Sequence, residues 1–191
     1  PVSRGLGDVY KRQIFILLWS SAFITTKPIV DNSDPFAALA FRFFFVALGF
    51  YLFSFYLNQS LITNKRKIAE SVLSGVLFHG FYLGGVFYSI SIGMPVGIAA
   101  LIVTLQPVLT NILSGPILDE KITTQQWIGV LLGFTGASLV LGLDIGSGIP
   151  LLGLIATIIA LLSITISTIW QKKISKNLPL SVSNFYQAFG G

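Results

Sequence analysis

The stretch WQKKISKNLP, residues 170–179, places three lysines within five positions. It follows a run from residue 145 to residue 171 that contains no charged side chain. Such a run is long enough to cross the hydrocarbon core of a membrane as a helix. Because the lysines end this run, they mark a connection between two hydrophobic segments. The arrangement of those segments follows from where this connection falls in the chain.

Hydrophobic segments account for most of the sequence. The mean hydropathy is +0.82, and charged residues make up 10% of the chain, against about a quarter in globular domains. The segments contain Gly and Pro and do not alternate with period two, which favours membrane-spanning helices over barrel strands. The predicted spans are residues 14–30, 35–57, 71–92, 95–117, 124–142 and 150–170, and a seventh begins near Leu180.

The composition argues against several kinds of chemistry. The chain has no Cys and one His, which excludes a thiolate or multi-histidine metal site. It has no nucleotide-binding loop, no HExxH or GxSxG motif and no pair of intramembrane carboxylates, so neither a catalytic residue nor a cofactor is expected. The net charge of +5 is attributed to basic loops that face anionic lipid and not to nucleic-acid binding.

The connections between spans differ in charge. Taken together, the connections 31–34, 93–94 and 143–149 hold Asp31, Asp34 and Asp144 and no Lys or Arg. Because basic loops stay in the cytoplasm, the N-terminus is predicted to be cytoplasmic in a multi-pass protein of the cell (inner) membrane. The alternate connections hold the basic residues Lys65, Arg66, Lys67, Lys121, Lys172, Lys173 and Lys176.

The basic stretch 170–179 has an acidic counterpart near the start of the chain. A shift of 144 residues places Pro35 on Pro179 and Phe41 on Phe185, and it brings the acidic IVDNSDP over the basic KKISKNLP. A five-helix unit that is duplicated enters the membrane from the opposite side the second time. The reversed charge therefore predicts inverted repeats, which are typical of secondary transporters.

Three regions follow from these patterns. Residues 1–13, which include DVYKRQ, are interpreted as an adaptor-derived, non-native segment or as a short basic or disordered tail. Residues 14–142 form a first repeat of five helices. Residues 150–191 begin a second repeat.

Two segments resemble EamA-type members of the drug/metabolite transporter superfamily. One is WSSAFITTKPIVDNSDPFAALAFRF, residues 19–43, with Trp19, Lys27, Pro35, Arg42 and Phe43 at the positions of that family's pattern. The other is GIAALIVTLQPVLTNILSGPILDEKITTQQWIGVLLGFTGASLVL, residues 97–141.

This resemblance implies an all-α membrane protein built as a helical bundle of inverted five-helix repeats. The chain would hold one complete repeat and about one and a half helices of the second, as a truncated part of a ten-helix protein. The shift of 144 residues puts Ser163 where the first repeat has Trp19, and Gln171 where it has Lys27. The two repeats are therefore expected to differ in their roles.

Charged and aromatic residues within the first three spans are the first group of candidates for the substrate cavity. Lys27 and Arg42 either attract an anionic group in the pathway, or Lys27 extends to the outer interface and Arg42 holds the first hairpin through backbone carbonyls. His79 either titrates in proton coupling or is a neutral ring hydrogen-bonded across helices. Asp31 and Asp34 are the expected partners of the two cations. Trp19 and Tyr82 complete this group.

The fourth span contributes a second group of candidates. Small and polar residues recur three or four positions apart along one face. Pro107 removes a backbone hydrogen bond beside Thr104, so this face is either a cavity wall with a hinge or a tight packing surface. Gly129, Gly133 and Gly136 of the fifth span, and the pair Gly80 and Gly84 of the third, are expected to pack closely. The stripe comprises Gly97, Ala100, Thr104, Pro107, Asn111 and Ser114.

The favoured function is a secondary transporter that exports small metabolites, amino acids or drugs by alternating access. The expected partners are membrane lipid, a small-molecule substrate, a coupling proton or ion, and a second copy of the chain in a homodimer. Two alternatives are a structural or scaffold membrane protein without transport activity and a membrane-embedded enzyme. Flux of a substrate in the complete protein separates the first function from the scaffold alternative, and the lack of HExxH, GxSxG and paired intramembrane carboxylates argues against an enzyme.

Overall fold

In the computed structural model of the chain, residues 6–61, 64–118, 123–141, 148–174 and 178–191 are described. Every regular element within these ranges is helical, as predicted. The third helix contains a π-helical segment, Val76–Leu83, between two α-helical parts. The helices are α1 (Leu6–Asn32), α2 (Pro35–Tyr56), α3 (Lys65–Ser91), α4 (Val96–Val103), α5 (Gln106–Leu118), α6 (Thr124–Leu141), α7 (Leu151–Ile174) and α8 (Leu180–Phe189).

Five of the described helical stretches are long and apolar enough to cross a membrane. They coincide with the first four predicted spans and with the sixth, and α6 lies within the fifth. Helix α1 begins at Leu6 and so extends into the 1–13 segment. Lys121, Asp144 and Lys176, which belong to the predicted connections, fall outside the described residues. The five stretches are Gln13–Asn32, Pro35–Tyr56, Lys65–Ser91, Val96–Leu113 and Leu151–Ile174.

The turn between α1 and α2 uses both of its aspartates locally. Lys27 Nζ lies 2.5 Å from Asp31 Oδ1, one helical turn away and exposed, as predicted. Asp34 is instead the N-cap of α2 and accepts from the backbone N–H groups of Phe36 and Ala37 at 3.0 and 2.8 Å. Such a cap stabilises a helix start by about 1 kcal/mol. Neither carboxylate is a partner of Arg42, contrary to the expectation for Asp34.

The fourth span is broken between Val103 and Gln106, where the sequence predicted a hinge, and Pro107 lies just beyond the break and not inside a continuous helix. It lies in the first turn of α5, where a missing N–H leaves no helical hydrogen bond unmade. At the end of α4 the Thr104 hydroxyl donates to the Leu101 carbonyl at 2.6 Å. The break has a physical cause, because the proline ring cannot follow a continuous helix without a clash.

Helix α7 packs antiparallel against α3. At one end the Trp170 indole N–H donates to the Glu70 carbonyl at 3.2 Å, and at the other Gly153 lies against Met94. Between them, Gly85 lies so close to α7 that an added Cβ would be 2.9 Å from the Ala156 carbonyl oxygen. Small residues thus let the two backbones approach, as is usual where lipid surrounds the helices. The buried core at this contact comprises Tyr82, Val86, Ile90, Met94, Ala99, Val103, Ala160 and Ile164.

Helix α8 packs antiparallel against α2. Three contacts follow one another in opposite order along the two segments: the Ser181 hydroxyl donates to the Gln59 side chain, the Tyr51 and Phe185 rings are 5.6 Å apart, and Gly191 adjoins Phe43. By contrast, the outer surfaces of α1 and α2 expose many large apolar side chains. These surfaces are suited to contact with lipid.

Two of the three basic connections meet at one end of the bundle, and the third, with Lys121, lies outside the described residues. The hydrogen bond between Trp170 and Glu70 brings the end of α7 beside the start of α3, so that Lys173 lies near Arg66 and Lys67. The opposite end holds the start of α2 with its N-cap Asp34, because the Phe36 ring stacks on Tyr88 near the end of α3 with centroids 6.3 Å apart. Among the described residues, the basic and the acidic connections therefore lie at opposite ends of the bundle.

Glycines make tight contacts at positions other than the predicted pair in the third span. A Cβ added to Gly80 would meet no atom within 4 Å, and one added to Gly84 would make an ordinary contact at 3.6 Å. A Cβ added to Gly75 would instead lie 2.0 Å from the Gln187 carbonyl oxygen of α8. The close approach of helices depends on Gly75 and not on Gly80.

We therefore expect Gly75→Ala to lower the free energy of unfolding by about 1–3 kcal/mol through overpacking against α8. Gly80→Ala is the matched control on the same helix, and we expect a change of less than about 1 kcal/mol. Thermal or denaturant unfolding in detergent measures both. Equal losses in the two variants would contradict the contact between α3 and α8.

Candidate functional site

A cavity of about 270 Å³ opens between α1, α2 and α3. Four of the seven predicted cavity residues line it, namely Trp19, Arg42, His79 and Tyr82. The rest of its wall is almost entirely apolar and aromatic. Binding pockets for small amphipathic molecules commonly have such an apolar wall with a few polar groups.

Helix α1 supplies one wall through residues three or four positions apart, which lie on one helical face. The Trp19 ring stacks on Phe15 with centroids 5.7 Å apart and meets Phe78 edge-on at 6.5 Å. Thr26 is buried, and its hydroxyl donates to the Ala22 carbonyl at 2.7 Å. Trp19 is thus held between aromatic neighbours and presents a flat apolar surface to the cavity.

Arg42 brings a positive charge to the cavity from α2. Its guanidinium carbon lies 5.8 Å from the centroid of the Phe43 ring, a cation–π contact. No carboxylate forms an ion pair with Arg42, and no backbone carbonyl accepts from it, in the part of the chain that the structure describes. The structure therefore does not support the interpretation that Arg42 holds the hairpin through carbonyls, and it leaves this charge available to an anionic group.

The π-helical segment of α3 carries His79 and Tyr82 to the same cavity. The His79 ring lies 4.3 Å from Phe43 and 5.1 Å from Phe78 between centroids. Its Nδ1 atom is buried and has no hydrogen-bond partner among the described residues. The cross-helix hydrogen bond expected of a structural histidine is therefore absent at Nδ1 within these residues. Segments with π geometry are frequent at functional sites.

The predicted stripe of the fourth span lines a different cavity. Thr104, Pro107 and Asn111 face a second space of about 500 Å³, with Gly129 and Gly133 of α6 on its other side. The seven candidates are thus divided between two cavities and do not form one site. A Cβ on either glycine would meet nothing within 4 Å, so these glycines border open space and do not pack closely as predicted.

A set of polar contacts between helices was not predicted as a group. Ser167 donates to the Ser74 carbonyl at 3.1 Å between α7 and α3, and both residues are buried. Gln106 donates to Thr168 at 3.2 Å between α5 and α7. The available signal was the run of Ser and Thr in LLSITISTIW, residues 161–170. Because such residues also hydrogen-bond within their own helix, the run alone does not predict which residues of other helices they contact.

Potential metal ligands do not gather in the described residues, where no group of three His, Cys, Asp or Glu side chains could hold an ion. The polar groups that line the first cavity are instead a guanidinium, an imidazole, a phenol, an indole and the Thr26 hydroxyl, which donates within α1. These groups can bind a carboxylate or another anion and can exchange hydrogen bonds with a polar substrate. These groups are therefore suited to binding a small polar or anionic molecule.

Residues 14–142 match the model of a family described as the EamA-like transporter family. A protein of Salmonella typhimurium named probable amino-acid metabolite efflux pump is 24% identical over 177 residues, which cover 90% of this chain and 56% of the relative. A protein of the same name from Escherichia coli is 25% identical, over 84% of this chain and 52% of the relative. The uncharacterized transporter YvbV of Bacillus subtilis is 28% identical over 56% of the chain and 33% of the relative. The chain spans about half the length of the two efflux pumps.

The unpartnered Nδ1 atom of His79 leads to a stability prediction. We expect His79→Leu to leave the free energy of unfolding unchanged or to raise it, because a buried polar atom without a partner is replaced by apolar volume. Ser167→Ala is the comparison, since it deprives the buried Ser74 of its partner and should cost about 1 kcal/mol. Denaturant titration in detergent measures both. A larger loss for His79→Leu than for Ser167→Ala would restore a structural role for the histidine.

Proposed function

The chain belongs to the EamA-like transporter family, and we propose that it forms part of a secondary transporter that exports small amphipathic solutes with an anionic group. Amino acids and related metabolites are the class that we favour. The family match and the names of the relatives point to a transporter and not to an enzyme. The observation that carries the choice of substrate is the charge of Arg42 in a cavity with aromatic walls.

The chemistry of the first cavity supports an amphipathic substrate. A charge within a membrane-spanning segment is costly and is retained where it meets a partner or a pathway. Arg42 has no carboxylate partner among the described residues, so a substrate carboxylate can compensate it. Trp19, Phe43 and Phe78 offer apolar surface to the remainder of the same molecule.

The packing of α2 and α8 supports two inverted repeats. The shift of 144 residues that relates the two halves of the sequence superposes Pro35, the first residue of α2, on Pro179, the N-cap of α8. The two helices lie antiparallel, which is the orientation that an inverted copy requires. In this proposal the complete protein has ten helices, and the missing helices of the second repeat close the cavity on its open side.

Alternating access then follows from movement of one repeat against the other around a fixed site. Within this scheme, His79 is the candidate for a coupling proton, because its ring shares the cavity with Arg42. Two relatives are named probable amino-acid metabolite efflux pumps, which favours outward movement of amino acids. The cell membrane, with a cytoplasmic N-terminus, is the proposed location.

The complete reading frame that contains this chain, reconstituted in liposomes, should transport radiolabelled leucine or phenylalanine. Arg42→Gln should lower this flux by about 10- to 100-fold, because a hydrogen bond to a charged group contributes about 1.5–3 kcal/mol. Lys27→Gln is the matched control. It removes the same charge from α1, where Lys27 is exposed, pairs with Asp31 and lies outside the cavity. Initial rates at equal protein density measure both.

Equal flux in the Arg42→Gln and unchanged proteins would remove Arg42 from the proposed pathway. Equal losses of flux in Arg42→Gln and Lys27→Gln would show that removal of any positive charge lowers transport, whether or not the charge lies in the cavity. A complete protein that moves neither amino acid, nor any of a panel of carboxylates, would favour a scaffold function.

The absence of Cys in the chain allows the orientation to be tested with single cysteines. We expect Ser33→Cys to react with an impermeant maleimide on intact cells, whereas Lys65→Cys and Lys172→Cys should react only after permeabilisation. The reason is that basic connections remain in the cytoplasm. Reaction of Lys65→Cys and Lys172→Cys from opposite sides would contradict the proposed topology.

A further inference from the structure

A cavity of about 190 Å³ lies at the basic end of the bundle, between the start of α3 and the end of α7. It is separate from both cavities described above. Two segments a hundred residues apart in sequence form it, one with Arg66, Lys67 and Glu70 and the other with Trp170 and Lys173. We propose that this cavity binds the headgroup of an anionic phospholipid and that the lipid bridges α3 and α7.

The charges that line the cavity do not cancel. Arg66 pairs with Glu70 at 3.1 Å, which uses the only acidic side chain among the lining residues. Lys67 and Lys173 form no ion pair within the described ranges. Lys67 is half-buried, whereas its neighbour Lys65 is exposed. Two cations therefore remain beside one small space, and a phosphate can compensate both of them.

The remaining lining favours a lipid over a phosphate ion from solution. The Trp170 ring is fixed by its hydrogen bond to the Glu70 carbonyl, and the Lys173 ammonium lies 6.0 Å from the ring centroid. Ile174 and Leu178 complete the wall. A site with lysines on one side and tryptophan with aliphatic side chains on the other matches a headgroup that continues into glycerol and acyl chains. Tryptophan is enriched at this depth of a membrane.

The start of α3 also lacks the compensation that helices usually have. Its first turn carries Lys65, Arg66 and Lys67 and no acidic residue, although the N-terminal end of a helix is itself positive and favours anions. The Asn64 side chain accepts from the Arg66 backbone N–H at 3.0 Å and adds no charge. A phosphate beside Lys67 would therefore also stabilise the helix start.

The proposed topology places this end of the bundle at the cytoplasmic leaflet, whose surface carries anionic lipids. A headgroup held between Lys67 and Lys173 would connect the first repeat with the first helix of the second. The assignment of the site does not depend on transport, because it rests on the charges and the lining of the cavity.

The test uses Trp170 as a local reporter. Trp19→Phe and Trp127→Phe leave it as the single tryptophan of the three in the chain. In vesicles that contain brominated phosphatidylglycerol or brominated phosphatidylcholine, quenching of Trp170 reports which lipid is next to it. We expect an apparent preference for phosphatidylglycerol of about 25-fold, since each lysine near an anionic surface contributes about fivefold.

Lys67→Gln with Lys173→Gln should abolish this preference, so that the two brominated lipids quench Trp170 about equally. Lys65→Gln with Lys172→Gln is the matched control, because it removes two lysines from the same connections but none from the cavity lining. It should retain most of the preference. Lys67→Arg with Lys173→Arg should also retain it, and circular dichroism confirms that each variant keeps its helices.

Three results would overturn the proposal. Equal losses in the Lys67/Lys173 and Lys65/Lys172 glutamine variants would indicate diffuse attraction to a charged surface without a site. Equal quenching by the two brominated lipids would exclude a preference for anionic headgroups. Loss of the preference on addition of inorganic phosphate, at an ionic strength matched with chloride, would assign the cavity to a soluble anion.

Discussion

The antiparallel contact between α3 and α7 determines most of what is seen in this structure. Small residues at Gly85 and Ala160 let the two backbones approach, and buried serine hydroxyls at Ser74 and Ser167 satisfy each other nearby. In a membrane, such packing and hydrogen bonding take the place of the hydrophobic effect between helices. The contact orients α3 so that His79 faces the first cavity, and its far end brings Lys173 beside Lys67. Both proposed binding sites thus depend on one interface.

The sequence predicts the helices well because the membrane limits the alternatives. A long apolar run must satisfy its backbone internally, so its type and its approximate ends follow from hydropathy alone. The charge pattern of the connections likewise predicted which ends lie together, as the meeting of Arg66 with Lys173 illustrates. The break beside Thr104 was predicted as one alternative, a hinge, but the sequence did not show that Pro107 would lie in the first turn of the helix that follows it.

The candidate site was predicted only in part, for a related reason. Four of the candidates share a cavity because they project from neighbouring helices, namely Trp19, Arg42, His79 and Tyr82. The sequence singled them out because polar, charged or large aromatic side chains are conspicuous within apolar spans. Thr104 and Asn111 were equally visible, yet they face another space. Which helices become neighbours depends on long-range contacts such as that of Gly75 with Gln187, and no local pattern encodes them. The π geometry of Val76–Leu83 is similarly without a clear sequence signal.

That π segment gives α3 a means of rotation. Successive residues of an α-helix are separated by about 100° around the axis, and a wider turn holds surplus residues in the same length. If the segment tightened to α geometry, the part of α3 before Val76 would rotate about the helix axis relative to the part after Leu83. Lys67 lies before the segment, His79 within it and Gly85 beyond it. Because α3 is held against α7 on both sides of the segment, at Ser74 and at Gly85, a twist at this joint would reorient the imidazole only if one of these two contacts were exchanged.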